Sequence, residues 1–562
     1  MASTNATTAP ATVPTPPNFP VTWEQPGDAD LTWLTDRLHF PDPITPLDDW
    51  LNGKIWQGGE RSAARFGYPF VYHWRRINTY AYYAITLAPG EPEELAAREH
   101  RANERMQEAL GHLMESWAGE YVPEIKRHLA VWAGFDVGVA TLPDLLAHLE
   151  DMEERQLALW ELHDLAFLPA NTVMSMFDDL YRDLFGEDQV FAGYRLLQGF
   201  DNATLAAARG LWRLSRRALA EPSVRRVLEE QPGPDALDLL GATTEGRDFL
   251  GALRDYLAEY GQYSETWVLT APSWVEDPST PLAHLRAYLA RPEYDPEAEL
   301  ASLAAEREAA VARAREQLRG HPAPVRERFE ALLRAAQAGV IILEDHNFWI
   351  DRPCIHYARQ LFLAIGRHLV ARGALARPDD IFCLTPDEVR QTATAPGRVD
   401  RRATVAGRQA EMAYFRTITP PLVLGAPPPE APADDPVLRG VDKFFGPAPD
   451  GPAEPGVVRG SAGSPGKARG VARVIRSLAE AERLRPGDIL VTGTTSAAWT
   501  PLFAIAAAIV TDTGGVLSHC AVVAREYRLP AVVGTGAATT ALRDGQVVEV
   551  DGDAGVVRVV GS

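Results

Sequence analysis

The segment AIVTDTGGVLSHCAVVAREYRLPAVVG, residues 508–534, sets a histidine among residues suited to anion chemistry. An apolar run leads into Thr513-Gly514-Gly515, Ser518-His519 follow, and a helical pattern continues to Leu529-Pro530. Paired glycines allow backbone N–H groups to turn inward and form a concavity for an anion. Ser518 is a residue type that caps a helix, and a helix starting at His519 brings positive potential to its first turn. That potential disfavours the imidazolium and leaves a neutral, nucleophilic ring nitrogen near pH 7. The same dipole and N–H groups would stabilise a phosphate dianion on the ring, with Thr513 as a further donor. These residues predict a histidine that accepts and passes on a phosphoryl group.

The surrounding pattern supplies elements to position it. Short β-rich runs at 471–475, 488–491, 508–510, 531–533, 547–550 and 556–560 are separated by turns such as Pro486-Gly487 and Asp551-Gly552. Helical pieces are expected at 478–484 and 518–527. Residues 457–562 therefore read as one compact α/β domain. Before it, residues 425–456 are rich in Pro, Gly, Ala and Asp, which predicts an extended, semi-rigid linker. Helical periodicity dominates from about Glu91 to Ala376. There Asp295-Pro296 opens a helix that Gly320 ends, and another spans 354–375 with Arg372-Gly373 at its close. Residues 21–90 show no long period and many aromatic residues, so ordered loops and turns are expected. The fold class is multidomain: a largely α-helical domain over 21–424, the linker, then the α/β domain.

Composition narrows the partners. The net charge of −21 argues against nucleic acid and anionic membrane, both of which need a basic surface. The charge is uneven: residues 457–562 hold 11 Lys and Arg against 9 Asp and Glu, or +2, leaving −23 for the rest. Cys354, Cys383 and Cys520 are too few and scattered for a disulfide framework or zinc cage, and no metal site is read from the chain. Residues 1–20 are polar and rich in Pro and Thr, which predicts a disordered leader without a signal core. No apolar run reaches membrane-spanning length, and a cytoplasmic setting is expected.

The segment around His519 resembles the signature of the PEP-utilising mobile domain, as in pyruvate phosphate dikinase, phosphoenolpyruvate synthase and rifampin phosphotransferase. The resemblance extends to SPGKARGVARVI at 464–475, PGDILV at 486–491, WTPLF at 499–503 and DGQVVEVDGDAG at 544–555. It implies a domain that swivels between a nucleotide site and an acceptor site, with His519 phosphorylated on the way. Ala497, Cys520 and Arg528 depart from the proline, alanine and glycine expected at their positions. Gly466-Lys467 is not a P-loop, since Ser461 and Ala468 break the G-x-x-x-x-G-K-[ST] pattern.

No Gly-rich phosphate loop or ATP-grasp carboxylate set is found in residues 1–425. No cofactor is therefore assigned to this chain, and ATP and Mg²⁺ are expected through a partner ATP-grasp-type protein. The larger domain resembles the acceptor part of rifampin phosphotransferase, or of the histidine-bearing subunit of phenylphosphate synthase. That resemblance rests on PDPITPL at 41–47, YGQYSE at 260–265, PSWVEDP at 272–278 and PDDIFCLTPDEV at 378–389. Transfer to a hydroxyl needs a base and a cation, and EDHNFWIDR at 344–352 gathers both. Glu344, Asp345, His346 and Arg352 are the acceptor-site candidates, with Asp345 or His346 as base and Arg352 as phosphate clamp. Arg75-Arg76 and Asp36 with His39 are further candidates. The aromatic set Trp23, Trp33, Trp50, Trp56, Trp74, Tyr80, Tyr82 and Tyr83 suggests a pocket for a bulky or aromatic hydroxyl compound, or simply a core. The alternative function is a phosphocarrier that docks partners without small-molecule chemistry of its own.

Overall fold

The computed structural model describes residues 13–561 apart from 187–190, 232, 234, 396, 398, 429–435, 447–453 and 455. A helix-rich body is followed by an α/β domain, and the two share packed apolar surface. No described helix is long and apolar enough to cross a membrane.

The body opens with a small antiparallel sheet in the order β2-β3-β1-β4, made of β1 (Thr32–Thr35), β2 (Phe70–Ile77), β3 (Tyr80–Leu87) and β4 (Val423–Gly425). The second half of the expected leader is ordered: Val13 N–H donates to the Gly425 carbonyl, and Phe19 is fully buried against Tyr80, Tyr82 and Phe415. One apolar ring at 19 is enough to fix a polar stretch when a sheet face awaits cover. The loops expected over 21–90 contain a 21-residue helix, Pro46–Phe66. Its start is a capping box in which Thr45 and Asp48 satisfy each other's backbone N–H, with Pro46 in the first turn. Gly58 lets this helix cross the long helix Leu142–Phe185 closely, because a Cβ there would meet Trp160 Cβ at 2.4 Å.

The long helix is the spine of the body, and its own start is the Thr141–Asp144 capping box. Ala323–His346 and Arg352–Ala371 pack along it in the main apolar core. The predicted helix opened by Asp295-Pro296 spans Pro296–Gln317, with Asp295 accepting from the Glu297 and Ala298 N–H groups. Within the stretch read as an extended linker, Pro436–Phe445 instead forms a helix packed on the spine. Its Val437 joins the main core and Lys443 pairs with Asp178 at 2.8 Å and Asp179 at 2.7 Å. The proline-rich flanks at 429–435 and 447–453 lie outside the described residues.

The C-terminal sheet has eight strands among the described residues, in the order β5-β12-β11-β7-β8-β9-β10-β6. These are β5 (Val457–Arg459), β6 (Ser461–Ser464), β7 (Lys467–Val474), β8 (Ile489–Thr492), β9 (Ala508–Thr511), β10 (Ala531–Val533), β11 (Val547–Asp551) and β12 (Val556–Gly561). The centre, β7 to β10, is parallel, and β8, β9 and β10 are short buried runs dominated by apolar residues, as in strands covered on both faces. Alternate residues divide between two cores. Ile489, Val491, Ala508, Val510 and Val532 fill the domain's own core. Leu490, Ile509, Ala531 and Val533 join a cluster that runs on into Leu211, Tyr256, Leu282 and Tyr288 of the body.

A polar rim surrounds this docking contact. Glu265 of the body accepts from Ser477 Oγ at 3.0 Å and Leu478 N–H at 2.5 Å, and Arg286 pairs with Glu482. Glu526 of the α/β domain accepts the Gly199 N–H at 3.0 Å. Arg528 adopts φ +52°, the left-handed region where glycine is at ease, and its side chain reaches Glu299 and Glu306 of the body.

Burial pushes the Glu526 carboxyl up from the ordinary 4.5 to about 7, against the Gly199 N–H and Arg525, which favour its charged form. A carboxyl raised on docking binds its proton more tightly when docked, so docking strengthens as pH falls from about 7 toward 4.5. Hydrogen exchange of the contact around Gly199, corrected for intrinsic rates, should show more protection at pH 6 than at pH 8. Glu526→Gln should flatten that dependence; an unchanged slope would show that another group sets it.

Candidate active site

The helices Ala323–His346 and Arg352–Ala371 form one rod interrupted by a π-turn, Asn347–Asp351. Pro353 accounts for the widening, since it lacks an N–H and its ring would strike the carbonyl four residues back. The Arg352 N–H reaches the Asn347 carbonyl instead. Arg352 Nε donates to Asn347 Oδ1 five residues back at 3.0 Å, while Asn347 Nδ2 donates to Asp351 Oδ2 four residues on at 2.9 Å. Glu344, His346, Asn347 and Arg352 consequently face one cavity.

His519 meets this rod from the other domain. It is the first residue of the helix His519–Glu526, and its Nδ1 lies 3.0 Å and 3.3 Å from the Glu344 carboxylate oxygens. Nε2 lies 3.5 Å from Thr500 Oγ1. The Glu344 side chain is 4% exposed and that of His519 18%. A carboxylate only accepts, so Nδ1 carries the ring proton toward Glu344 and Nε2 keeps a lone pair.

The glycine loop differs from the expected anion cradle. Gly514 does take φ +94°, but the Gly515 N–H donates to the Phe444 carbonyl at 2.8 Å and the Leu517 N–H to the Lys443 carbonyl at 2.9 Å. The carboxyl end of the helix Pro436–Phe445 has carbonyls without helical partners, and the loop satisfies two of them. Ser518 holds the N-cap position without capping, because its hydroxyl turns back to the Gly515 carbonyl at 2.8 Å. The Thr513 hydroxyl donates to the Gly493 carbonyl at 3.1 Å. All four loop residues are therefore beside His519, with Gly515, Ser518 and Thr513 committed to protein partners.

Between the domains lies a cavity of about 210 Å³ lined by His519, Glu344, His346 and Arg352. Its walls are aromatic, with Trp56 stacked on Tyr83 at 4.5 Å and Tyr72, Phe167, Trp267, Phe444 and Phe445 around them. Burial pushes the Tyr72 and Tyr83 phenols up, so both stay neutral. His39 also faces the cavity, edge-on to Trp267 at 4.5 Å, with Nδ1 held 2.9 Å from Asp36 Oδ2. Arg352 is fully buried and its Nη1 donates to the Ser264 and Thr266 carbonyls at 3.3 Å and 3.2 Å. Its Nη2 has no hydrogen-bond partner, and burial pulls its pKa down. A buried guanidinium with a spare donor is prepared for an anionic group.

Expectations for Asp345, Arg75, Arg76 and most of the aromatic residues are corrected, while Cys520 and Lys467 are the packed and surface residues expected. Asp345 points away from the cavity and accepts the Ala203 N–H at 2.8 Å at the start of the helix Ala203–Ala220, with burial pushing its carboxyl up to about 6. As the neighbour of Glu344 on a helix it must face elsewhere. Arg75 and Arg76 lie outside the cavity, bound to Asp28 and to the Ile44 carbonyl. Of the eight aromatic residues proposed, only Trp56 and Tyr83 line it; Trp33, Tyr80 and Tyr82 fill a separate core because alternate strand residues face opposite ways. Cys520 is a packed helix residue whose thiol burial pushes up to about 12. Lys467 pairs at the surface with Asp551, 2.7 Å away. The sequence reading did not include His163, Trp267, Thr500 or Asp351 in the site. Thr500 lies in WTPLF and Asp351 in EDHNFWIDR, segments quoted above without a role for these residues, while His163 and Trp267 lie in no quoted segment.

Comparisons with known proteins accord with this geometry. Residues 484–555 match the family model of the PEP-utilising enzyme mobile domain, and residues 163–344 match that of the rifampicin phosphotransferase fourth domain. The chain is 40% identical over 557 residues to chondramide synthase cmdD of Chondromyces crocatus, covering 98% of this chain and 14% of that protein. It is 31% identical to the uncharacterized phosphotransferase YvkC of Bacillus subtilis, over 75% of this chain and 50% of that one. It is 32% identical to a rifampicin phosphotransferase of a Streptomyces species, over 76% of this chain and 48% of that one. The chain thus spans half or less of the length of these relatives.

Gly515 has a second use, since a Cβ there would lie 2.2 Å from the Lys443 carbonyl oxygen. Gly515→Ala should lift the helix Pro436–Phe445 from the loop. Protease cleavage within 436–446 should then quicken while the circular dichroism of the whole protein stays near wild type. Unchanged cleavage would mean the contact yields without releasing the helix.

Proposed function

We propose that this chain is a phosphotransferase that carries a phosphoryl group on His519 Nε2 and delivers it to a hydroxyl of a small, aromatic organic compound. The observation that carries this reading is the aromatic-walled cavity between the domains, with His519, Arg352 and His39 on its lining. In the transfer, the acceptor O–H proton passes to His39 Nε2 while its oxygen forms the new bond to phosphorus. The bond from phosphorus to His519 Nε2 breaks, and its electron pair returns to the ring. Asp36 steadies the imidazolium of His39, and Arg352 Nη2 faces the charge on the phosphoryl oxygens. Glu344 keeps the His519 proton on Nδ1 throughout.

His519 is charged, in this reading, by an ATP-grasp-type partner protein that uses ATP and Mg²⁺. Reaching that site requires the 457–561 domain to leave the body, and the stretch between Gly425 and Gly456 sets how far it travels. The three cysteines are free and buried, which suits a reducing cytoplasm. A relay that merely docks partners would favour a closed contact at His519, and the cavity favours an acceptor there.

Labelled ATP and a candidate ATP-grasp partner should place acid-labile, base-stable label on the wild type and none on His519→Ala. His39→Ala should still take up label but lose about 10²–10⁴-fold in transfer to the acceptor, the span of general-base catalysis. Full transfer by His519→Ala would overturn the proposal. Full transfer by His39→Ala would remove His39 as the base.

A further inference from the structure

We infer that His163, His346 and Asp351 form a binding site for one divalent first-row transition-metal ion at the wall of the cavity. The cysteine count excludes a thiolate cage, but an imidazole and carboxylate site needs none. His163 Nε2 lies 3.5 Å from Asp351 Oδ1, and His346 Nε2 lies 3.7 Å from Asp351 Oδ2. All three ligand atoms fall within 4.8 Å of one another. Ligands about 2.0–2.2 Å from a common ion sit roughly 3–3.5 Å apart, so the trio needs only a small contraction.

The surroundings are those of ligating groups. His346 Nδ1 faces the Ile342 carbonyl at 3.0 Å, and His163 Nδ1 faces Asp164 Oδ1 at 3.3 Å. Each far nitrogen thus has an acceptor for its proton, which leaves both Nε2 lone pairs for an ion. Asp351 is fully buried, and while Oδ2 accepts from Asn347, Oδ1 has no hydrogen-bond partner. A buried carboxylate oxygen without a donor is costly, and a cation removes that cost. His163 stands on the spine helix, His346 ends the helix Ala323–His346 and Asp351 ends the π-turn, so the site is held by regular elements.

Two imidazoles and one carboxylate leave coordination positions open, as in metal sites that bind a substrate oxygen. His163 and His346 line the cavity, so those positions face the space assigned to the acceptor. A hydroxyl on the ion would lose its proton to His39 more readily, a role that rests on the acceptor reading above. Metal binding itself does not depend on that reading.

The test uses the full chain, stripped with a chelator and titrated calorimetrically with Zn²⁺ and with Mn²⁺, with Co²⁺ absorption as a second readout. One equivalent should bind. His346→Gln and, separately, Asp351→Asn should each weaken binding by more than the roughly 10–100-fold that losing a supporting hydrogen bond costs a metal site. No saturable binding by a folded protein, or binding that survives both substitutions, would overturn the site. Lost binding in His346→Gln with unchanged phosphoryl transfer would keep the site and overturn its role on the acceptor. Failure of acceptor transfer in the metal-loaded wild type bears on the proposed function alone.

Discussion

The hydrogen bond between His519 and Glu344 is where this structure comes to a point. It joins the first residue of one domain's helix to a buried carboxylate of the other, and both must be delivered to within 3.0 Å. No single element does this. The α/β sheet sets the start of the His519 helix, and the spine holds the rod that carries Glu344. A continuous apolar cluster holds the two domains at fixed distance. A carboxylate buried this deeply requires a donor, and the imidazole of the docked domain supplies it.

The rod itself owes its use to one proline. A regular helix would spread residues 344 to 352 around its circumference, and only part of the set would face the cavity. Pro353 forces a wider turn, and Asn347, Asp351 and Arg352 become a hydrogen-bonded group beside Glu344 and His346. The helix Pro436–Phe445 adds a wall to the same cavity, and its terminal carbonyls close the glycine loop. A loop whose N–H groups are held this way offers them to an anion only after that helix withdraws.

The domain contact combines an apolar centre with a charged rim, as interfaces between separable domains do. Arg528 shows how the rim is made from a departure in sequence. The backbone there takes a conformation that glycine tolerates best, and the arginine is retained with contacts to Glu299 and Glu306. Glu265 and Glu526 add bonds to backbone N–H groups across the contact. Charge-assisted bonds fix orientation while remaining exchangeable with water.

Local rules carried the reading wherever chemistry and chain neighbourhood coincide. His519, its glycines, the strands of the α/β domain and the cap at Asp295 were legible because strand period, turn residues and helix ends are short-range properties. Residues 13–20 and the helix Pro436–Phe445 were misread because their order comes from packing on surfaces remote in the chain. The capping box at Thr45 escaped notice since aspartate replaces the usual glutamate three residues on. Glu344 could be named a candidate from its segment, but its pairing with His519 depends on how two domains meet. The separation of Glu344 from Asp345 is by contrast local, since a helix turns neighbours to different sides. The sequence by itself determined which imidazole follows the glycine loop at the start of a helix. Tertiary structure alone decided what that imidazole faces, because the groups around the cavity share no segment and meet only through packing.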